Sequence, residues 1–133
     1  MTYDDFIGEV QNRARLASRE DALKATRATL SVLNKRLYGG ESKDLTAQLP
    51  EELKHLIKVD TKGDQEKFDL DEFFDRVSEK EGVDKPKSVH HARAVIAVLN
   101  EAVTAGEMGD VRAQLPEGYT PLFDSGSEGN MKV

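Results

Sequence analysis

The stretch Leu45-Thr-Ala-Gln-Leu-Pro-Glu-Glu52 returns as Val111-Arg-Ala-Gln-Leu-Pro-Glu-Gly118, with Ala, Gln, Leu, Pro and Glu in the same order both times. Pro50 and Pro116 stand 66 positions apart, and the same offset carries Val32-Leu33-Asn34 onto Val98-Leu99-Asn100. Two phrases repeated in one register mark a duplicated unit. The chain therefore reads as one all-α domain over residues 1–124, a single compact helical bundle of two tandem pseudo-symmetric four-helix repeats, 2–57 and 68–124. A polar linker, 58–67, joins them, and a Gly- and Ser-containing tail, 125–133, is expected to be disordered.

Composition narrows the function classes. At 133 residues the chain is long enough to bury a core without staples, and with no cysteine it has no disulfide, thiol nucleophile or zinc–thiolate site. A net charge of −6, with Lys and Arg scattered among acids, argues against a general nucleic-acid binder, because phosphate binding needs clustered cations. The opening Met1-Thr-Tyr-Asp-Asp-Phe6 is acidic where a secretory leader is basic and then apolar, and no apolar run approaches the ~20 residues that span a bilayer. These features predict a cytoplasmic protein that engages no membrane.

Read in order, Thr2 caps a first helix whose buried face is Tyr3, Phe6, Ile7 and Val10. Ser18 opens a second, with the stripe Leu23, Thr26, Leu30, Leu33 and Leu37, and Gly39-Gly40 is expected to stop it. A short helix over 41–48 buries Leu45; Pro50, in a first turn, begins a fourth that runs to about Ile57 and buries Leu53, Leu56 and Ile57. The second half repeats the plan: Asp69-Leu-Asp-Glu-Phe73 stands against Thr2-Tyr-Asp-Asp-Phe6, Asp84 replaces Ser18, and Val89, Ala92, Ile96, Leu99 and Val103 form the long stripe. A second stripe, Val95, Val98 and Ala102, widens that face, which predicts that 88–105 is the central helix and 18–37 more peripheral. Tyr119, Leu122 and Phe123 are expected to pin an irregular last helix to the core.

With its doubled Ala-Gln-Leu-Pro-Glu phrase, the Gly-Glu pairs at Gly40-Glu41 and Gly106-Glu107, and the Val-Leu-Asn of each long helix, the chain resembles a bacterial helical family, domain of unknown function 2267. The resemblance covers 2–124 and implies small bacterial cytosolic proteins with two related halves. It supplies no catalytic or binding residues, and Gly118 departs from the Glu52 of the first copy.

Candidate chemistry is sparse. Glu52-Leu-Lys-His55 has the Glu-x-x-His spacing of carboxylate-bridged metal sites, but it occurs once where such a site needs two, so a surface ion-pairing face is the plainer reading. The acidic segment 60–71 has Lys62 and Gln65 where a calcium loop needs a ligand and a glycine. Adjacent His90 and His91 point about 100° apart on a helix and cannot chelate one ion from it. Arg27 and Arg93 occupy equivalent positions, as do Gln48 and Gln114. Each Arg is expected to reach a carboxylate or open carbonyls of its own half, and each Gln to cap the break before Leu-Pro.

The reading that results is a non-enzymatic interaction module, with no catalytic residue, metal ion or cofactor expected. Its partner is an unknown protein or a second copy, held in a groove between the halves. The alternative is a small-molecule or metal-binding protein with a site between the repeats, using Arg27, Arg93, His90 or His91.

Overall fold

The structure, a computed structural model, describes residues 1–57 and 65–123. Among these residues there are seven α-helices and one 3-10 turn, and no strand. They are α1 (Tyr3–Arg13), α2 (Arg19–Arg36), α3 (Gly39–Ala47), α4 (Glu51–Leu56), α5 (Leu70–Glu81), α6 (Lys85–Ala102), α7 (Ala105–Ala113) and the turn Glu117–Tyr119, which leads into helical residues 120–123. Most of the expected linker, 58–64, and the tail beyond 123 lie outside the described residues.

The helix starts follow local chemistry. Thr2 accepts the Asp5 amide while Asp5 accepts the Thr2 amide, a reciprocal cap; Ser18, Asp69, Asp84 and Thr104 accept from the third residue of α2, α5, α6 and α7 in the same way. Such caps contribute about 1 kcal/mol each. Pro50 and Pro116 are themselves the extended cap residues, one position before the first turn.

α1, α2, α5 and α6 form the bundle: α2 packs on α6, and both α1 and α5 lie against each of them. Phe6, Ile7 and Val10 of α1 and Phe73, Phe74 and Val77 of α5 are buried in it, as their spacing predicts. Phe73 meets Phe74 and Tyr119 edge-on, with centroids 5.9 Å apart in both pairs. Edge-on aromatic packing adds about 1 kcal/mol per pair beyond the area buried. Tyr119, Leu122 and Phe123 are buried as expected, and the Tyr119 hydroxyl donates to the Phe68 carbonyl at 2.6 Å. Arg36 donates to the same carbonyl at 2.9 Å with its guanidinium 5.3 Å from the Tyr119 ring, so residues 65–69 are strapped to the end of α2. Glu66 N–H to the Lys35 carbonyl and the Gln65 amide to the Arg36 carbonyl complete that strap.

Three expectations are corrected. α2 is no more peripheral than α6, since nine of its residues are buried against nine of α6. Its inner face is built from Ala22, Ala25, Ala28, Thr26 and Thr29, small or hydroxylated residues that an apolar stripe undercounts, and Leu23 at the stripe's edge is half-buried. Gly39-Gly40 does not end α2. The break falls at extended Leu37, and the glycines make the first turn of α3, where a Cβ on Gly40 would come within 3.1 Å of the Tyr38 ring. Finally, Leu56 is half-buried, so α4 is held by Leu53 and Ile57.

α3 and α7 pack together, and here Gln48 and Gln114 depart from the local role expected of them. Gln48, at the end of α3, accepts the Thr104 amide at 2.9 Å at the start of α7; Gln114, at the end of α7, accepts the Tyr38 amide at 3.3 Å at the start of α3. Each glutamine satisfies an orphan N–H at the start of the other helix. Both acceptor–donor pairs are related by the 66-residue offset.

Candidate functional site

α2 and α5 bound a cleft of about 440 Å³ lined by Lys24, Arg27, Ala28, Ser31, Lys80 and Glu81. Helical spacing explains the lining from α2, because Lys24, Arg27, Ala28 and Ser31 follow steps of three, one and three along one face. Lys80 and Glu81 close α5 just before Gly82, whose φ of 78° turns the chain through the left-handed region. Of the candidate arginines, only Arg27 lines this space. It is exposed and, among the described residues, makes no ion pair; nor do Lys24 and Lys80.

Several other cations are neutralised. Arg13 pairs with Glu9 at 3.2 Å and Glu101 at 2.6 Å, Arg19 with Asp4, Arg76 with Glu66 and Glu72, and Lys85 with Asp71 and Asp75. Lys24, Arg27 and Lys80 bring three cations with no carboxylate partner among the described residues to one cleft. Contact with Glu101 and Glu9 holds the Arg13 guanidinium above its ordinary range against the opposing effect of burial, which is the largest single influence on it. The Asp71 and Asp75 carboxylates raise Lys85.

Behind the cleft lies a buried polar pair. His91 Nδ1 and Glu81 Oε2 share a hydrogen bond at 2.5 Å. The two side chains are 8% and 3% exposed, so the imidazole is shielded from the cleft by the carboxylate it holds. Glu81 Oε1 is buried without a hydrogen-bond partner. The partner of His91 comes from another helix, ten residues earlier in the chain, where no helical spacing reveals it.

The other candidates are dispersed. Arg93 is half-buried with its Nε buried and unpartnered, and neither it nor Arg27 bonds a carboxylate or carbonyl of its own half among the described residues. His90 is exposed, its ring 5.9 Å from that of His91 and tilted by 54°. His55 is exposed and lies 3.8 Å from Glu51, which with the Lys54–Glu51 contact at 3.5 Å makes the ion-pairing face expected of that helix. The calcium-like segment falls partly outside the described residues; of its acids, Asp69 caps α5 and Asp71 pairs with Lys85.

A second cluster escaped the sequence reading. Glu41 in the first turn of α3 and Glu107 in the first turn of α7 are each 7% exposed, and oxygens of Glu41, Glu107 and Asp110 lie within 4.8 Å of one another. Burial first, and then the adjacent Glu41 carboxyl, push Glu107 from the ordinary 4.5 up to about 7; Asp44 and Asp110 add to the effect. A signal was present: both glutamates follow glycine in the doubled Gly-Glu pair, 66 positions apart. That two matched acids face each other is decided by the packing of α3 on α7.

The described residues form an all-α fold with a charged cleft between α2 and α5 and a buried acid pair between α3 and α7. The chain belongs to the family of uncharacterised conserved proteins DUF2267, whose model matches residues 3–122. No curated protein sequence matches it. No helix among the described residues is long and apolar enough to cross a membrane.

Proposed function

We propose that this is a non-enzymatic, cytoplasmic binding protein built from two copies of one helical unit, and that its ligand is a small anion carrying a phosphate or carboxylate group. The ligand lies between the halves, in the cleft between α2 and α5. The observation that carries this reading is the trio Lys24, Arg27 and Lys80, which lines a 440 Å³ space with no carboxylate paired to any of the three among the described residues. Arg27 offers a planar fork for two oxygens, the lysines offer mobile point charges, and Ser31 offers a hydroxyl. Binding fits better than catalysis because the one imidazole nearby is buried against Glu81 and does not reach the ligand.

Duplication is supported by the reciprocal bonds of Gln48 to Thr104 and Gln114 to Tyr38, which link equivalent positions in both directions. A groove for a protein partner or a second copy has less support. Among the described residues only Met1 and Tyr38 are exposed large hydrophobics, well short of the contiguous apolar surface that marks such interfaces.

Amide-resolved NMR titration with inorganic phosphate and with citrate tests the proposal. Shifts are expected to concentrate in residues 24–31 and 80–81 and to vanish in Arg27→Ala/Lys80→Ala. Equal shifts around remote Lys43 and Lys87, or a response unchanged in the double variant, would overturn it.

A further inference from the structure

We infer that α3 and α7 together hold a hard divalent cation, of the Ca²⁺, Mg²⁺ or Mn²⁺ class, between the carboxylates of Glu41, Glu107 and Asp110. An acidic cluster alone would not carry this. What does is that Glu41 and Glu107 are each 7% exposed, and that Oε2 of both is buried with no hydrogen-bond partner. Apart from each other, the two carboxyls have one hydrogen-bond donor among the described residues, Gln114 Nε2, which donates to Glu41 Oε1 at 3.2 Å. Two buried carboxyls in contact are costly once both are ionised, unless a cation takes the place of the shared proton.

The geometry admits a cation of that class. Metal–oxygen bonds of about 2.0–2.6 Å place opposite ligands no more than about 5 Å apart, and the oxygens offered by the three residues all lie within 4.8 Å of one another. The donors are all carboxylate oxygen, with no imidazole or thiolate, which selects hard cations over zinc or copper. Asp110 is exposed, so water completes the coordination from its side.

The site is also preorganised. Thr104 caps α7 by accepting the Glu107 amide at 3.2 Å, and Gln114 grips the oxygen of Glu41 that is not orphaned. The crossed bonds of Gln48 and Gln114 fix the start of each helix against the end of the other. Amides that hydrogen-bond a metal-ligating carboxylate fix its orientation. The cluster lies on helices that do not line the α2–α5 cleft, so the inference stands or falls independently of anion binding.

The test is Mn²⁺ titration of chelator-stripped protein, read by paramagnetic broadening of amide resonances and by the melting temperature with Mn²⁺ or Ca²⁺. Broadening is expected to centre on residues 41, 107, 110 and 114, with a rise in melting temperature. Both are expected to weaken at least tenfold in Glu107→Gln and in Asp110→Asn, and to persist in Glu52→Gln on α4. Asp110 is exposed, so its variant keeps the test decisive if Glu107→Gln fails to fold. Broadening confined to other acids, broadening unchanged in both variants, or no response to either cation would overturn the inference.

Discussion

The cleft between α2 and α5 and the equivalent surface between α1 and α6 are made from matched sequence, yet they differ in charge. Positions 66 or 67 apart set Lys24 against His90, Arg27 against Arg93, Ser31 against Ala97 and Lys80 against Arg13. In the second surface Arg13 is consumed by Glu9 and Glu101, whereas the positions matching those acids are Arg76 and Lys35. The buried pair Glu81–His91 matches Ala14 and Ala25, both buried. Shared positions such as Phe6 and Phe73 carry folding; the positions that diverge add Lys24 and Lys80 to Arg27 on one side, where the other has Arg93 with His90 and a paired Arg13. Divergence between positions that share the offset of the repeated phrase therefore points to function better than identity does.

The largest expected effect tests the buried pair. His91→Ala leaves the Glu81 carboxylate buried and unpaired, and should cost about 3–5 kcal/mol in chemical denaturation. Glu81→Ala/His91→Ala, which copies Ala14 and Ala25, should cost clearly less than the two single variants added together. Additive losses would show that the pair is not a coupled insertion into an alanine-tolerant site.

Next comes the acid pair, in chelating buffer. Glu107 binds its proton more tightly folded than unfolded, from 4.5 to about 7, facing Glu41, Asp44 and Asp110 with Gln114 as the nearby donor. Its contribution is full below about pH 4.5 and is lost as pH rises through about 7. Glu107→Gln should remove that slope and exceed the parent at pH 8 by on the order of 1–3 kcal/mol. A parent whose stability climbs between pH 5 and 8 along with the variant's would contradict the assignment.

A smaller effect concerns the loops after α1 and α5. Arg15, with φ 55°, and Gly82, with φ 78°, occupy matched left-handed positions. Left-handed backbone costs a side chain roughly 1–2 kcal/mol, partly offset by the greater chain entropy of glycine. Arg15→Gly should be neutral to about 1 kcal/mol more stable, and Gly82→Arg less stable by about 1 kcal/mol. Thermal melts that rank them the other way would separate the two turns.

The smallest effect on stability opens the second surface. Glu101→Gln weakens the half-exposed contact with Arg13 and should change stability by less than about 1 kcal/mol. It should also make Arg13 and His90 respond to phosphate in the NMR titration. An unaltered silent surface would mean that charge pairing is not what distinguishes the two clefts.

Much of the helix framework was legible because its determinants are local. Thr2, Ser18, Asp69 and Asp84 cap the helices they begin, and Phe6, Val10, Phe73 and Val77 recur at the spacing that buries one face. The breadth of α2 was not legible, because alanine and threonine become core only when a neighbour lies close enough to cover them. The site was less readable still. Arg27 and His91 stand out in the sequence, but Lys80, Glu81 and the Glu41–Glu107 contact depend on which helices meet.

By itself the sequence determined an all-α chain with a repeated phrase and helix starts set by capping residues, since both follow from hydrogen bonds and periodicity within a few turns. Tertiary structure alone decided that Gln48 and Gln114 cross to the start of the other helix, that Lys24 and Lys80 share a cleft, and that Glu41 faces Glu107. The reason is physical: charge and hydrogen bonding act over a few ångströms of space, and helix packing brings together residues that sequence spacing leaves dozens of positions apart.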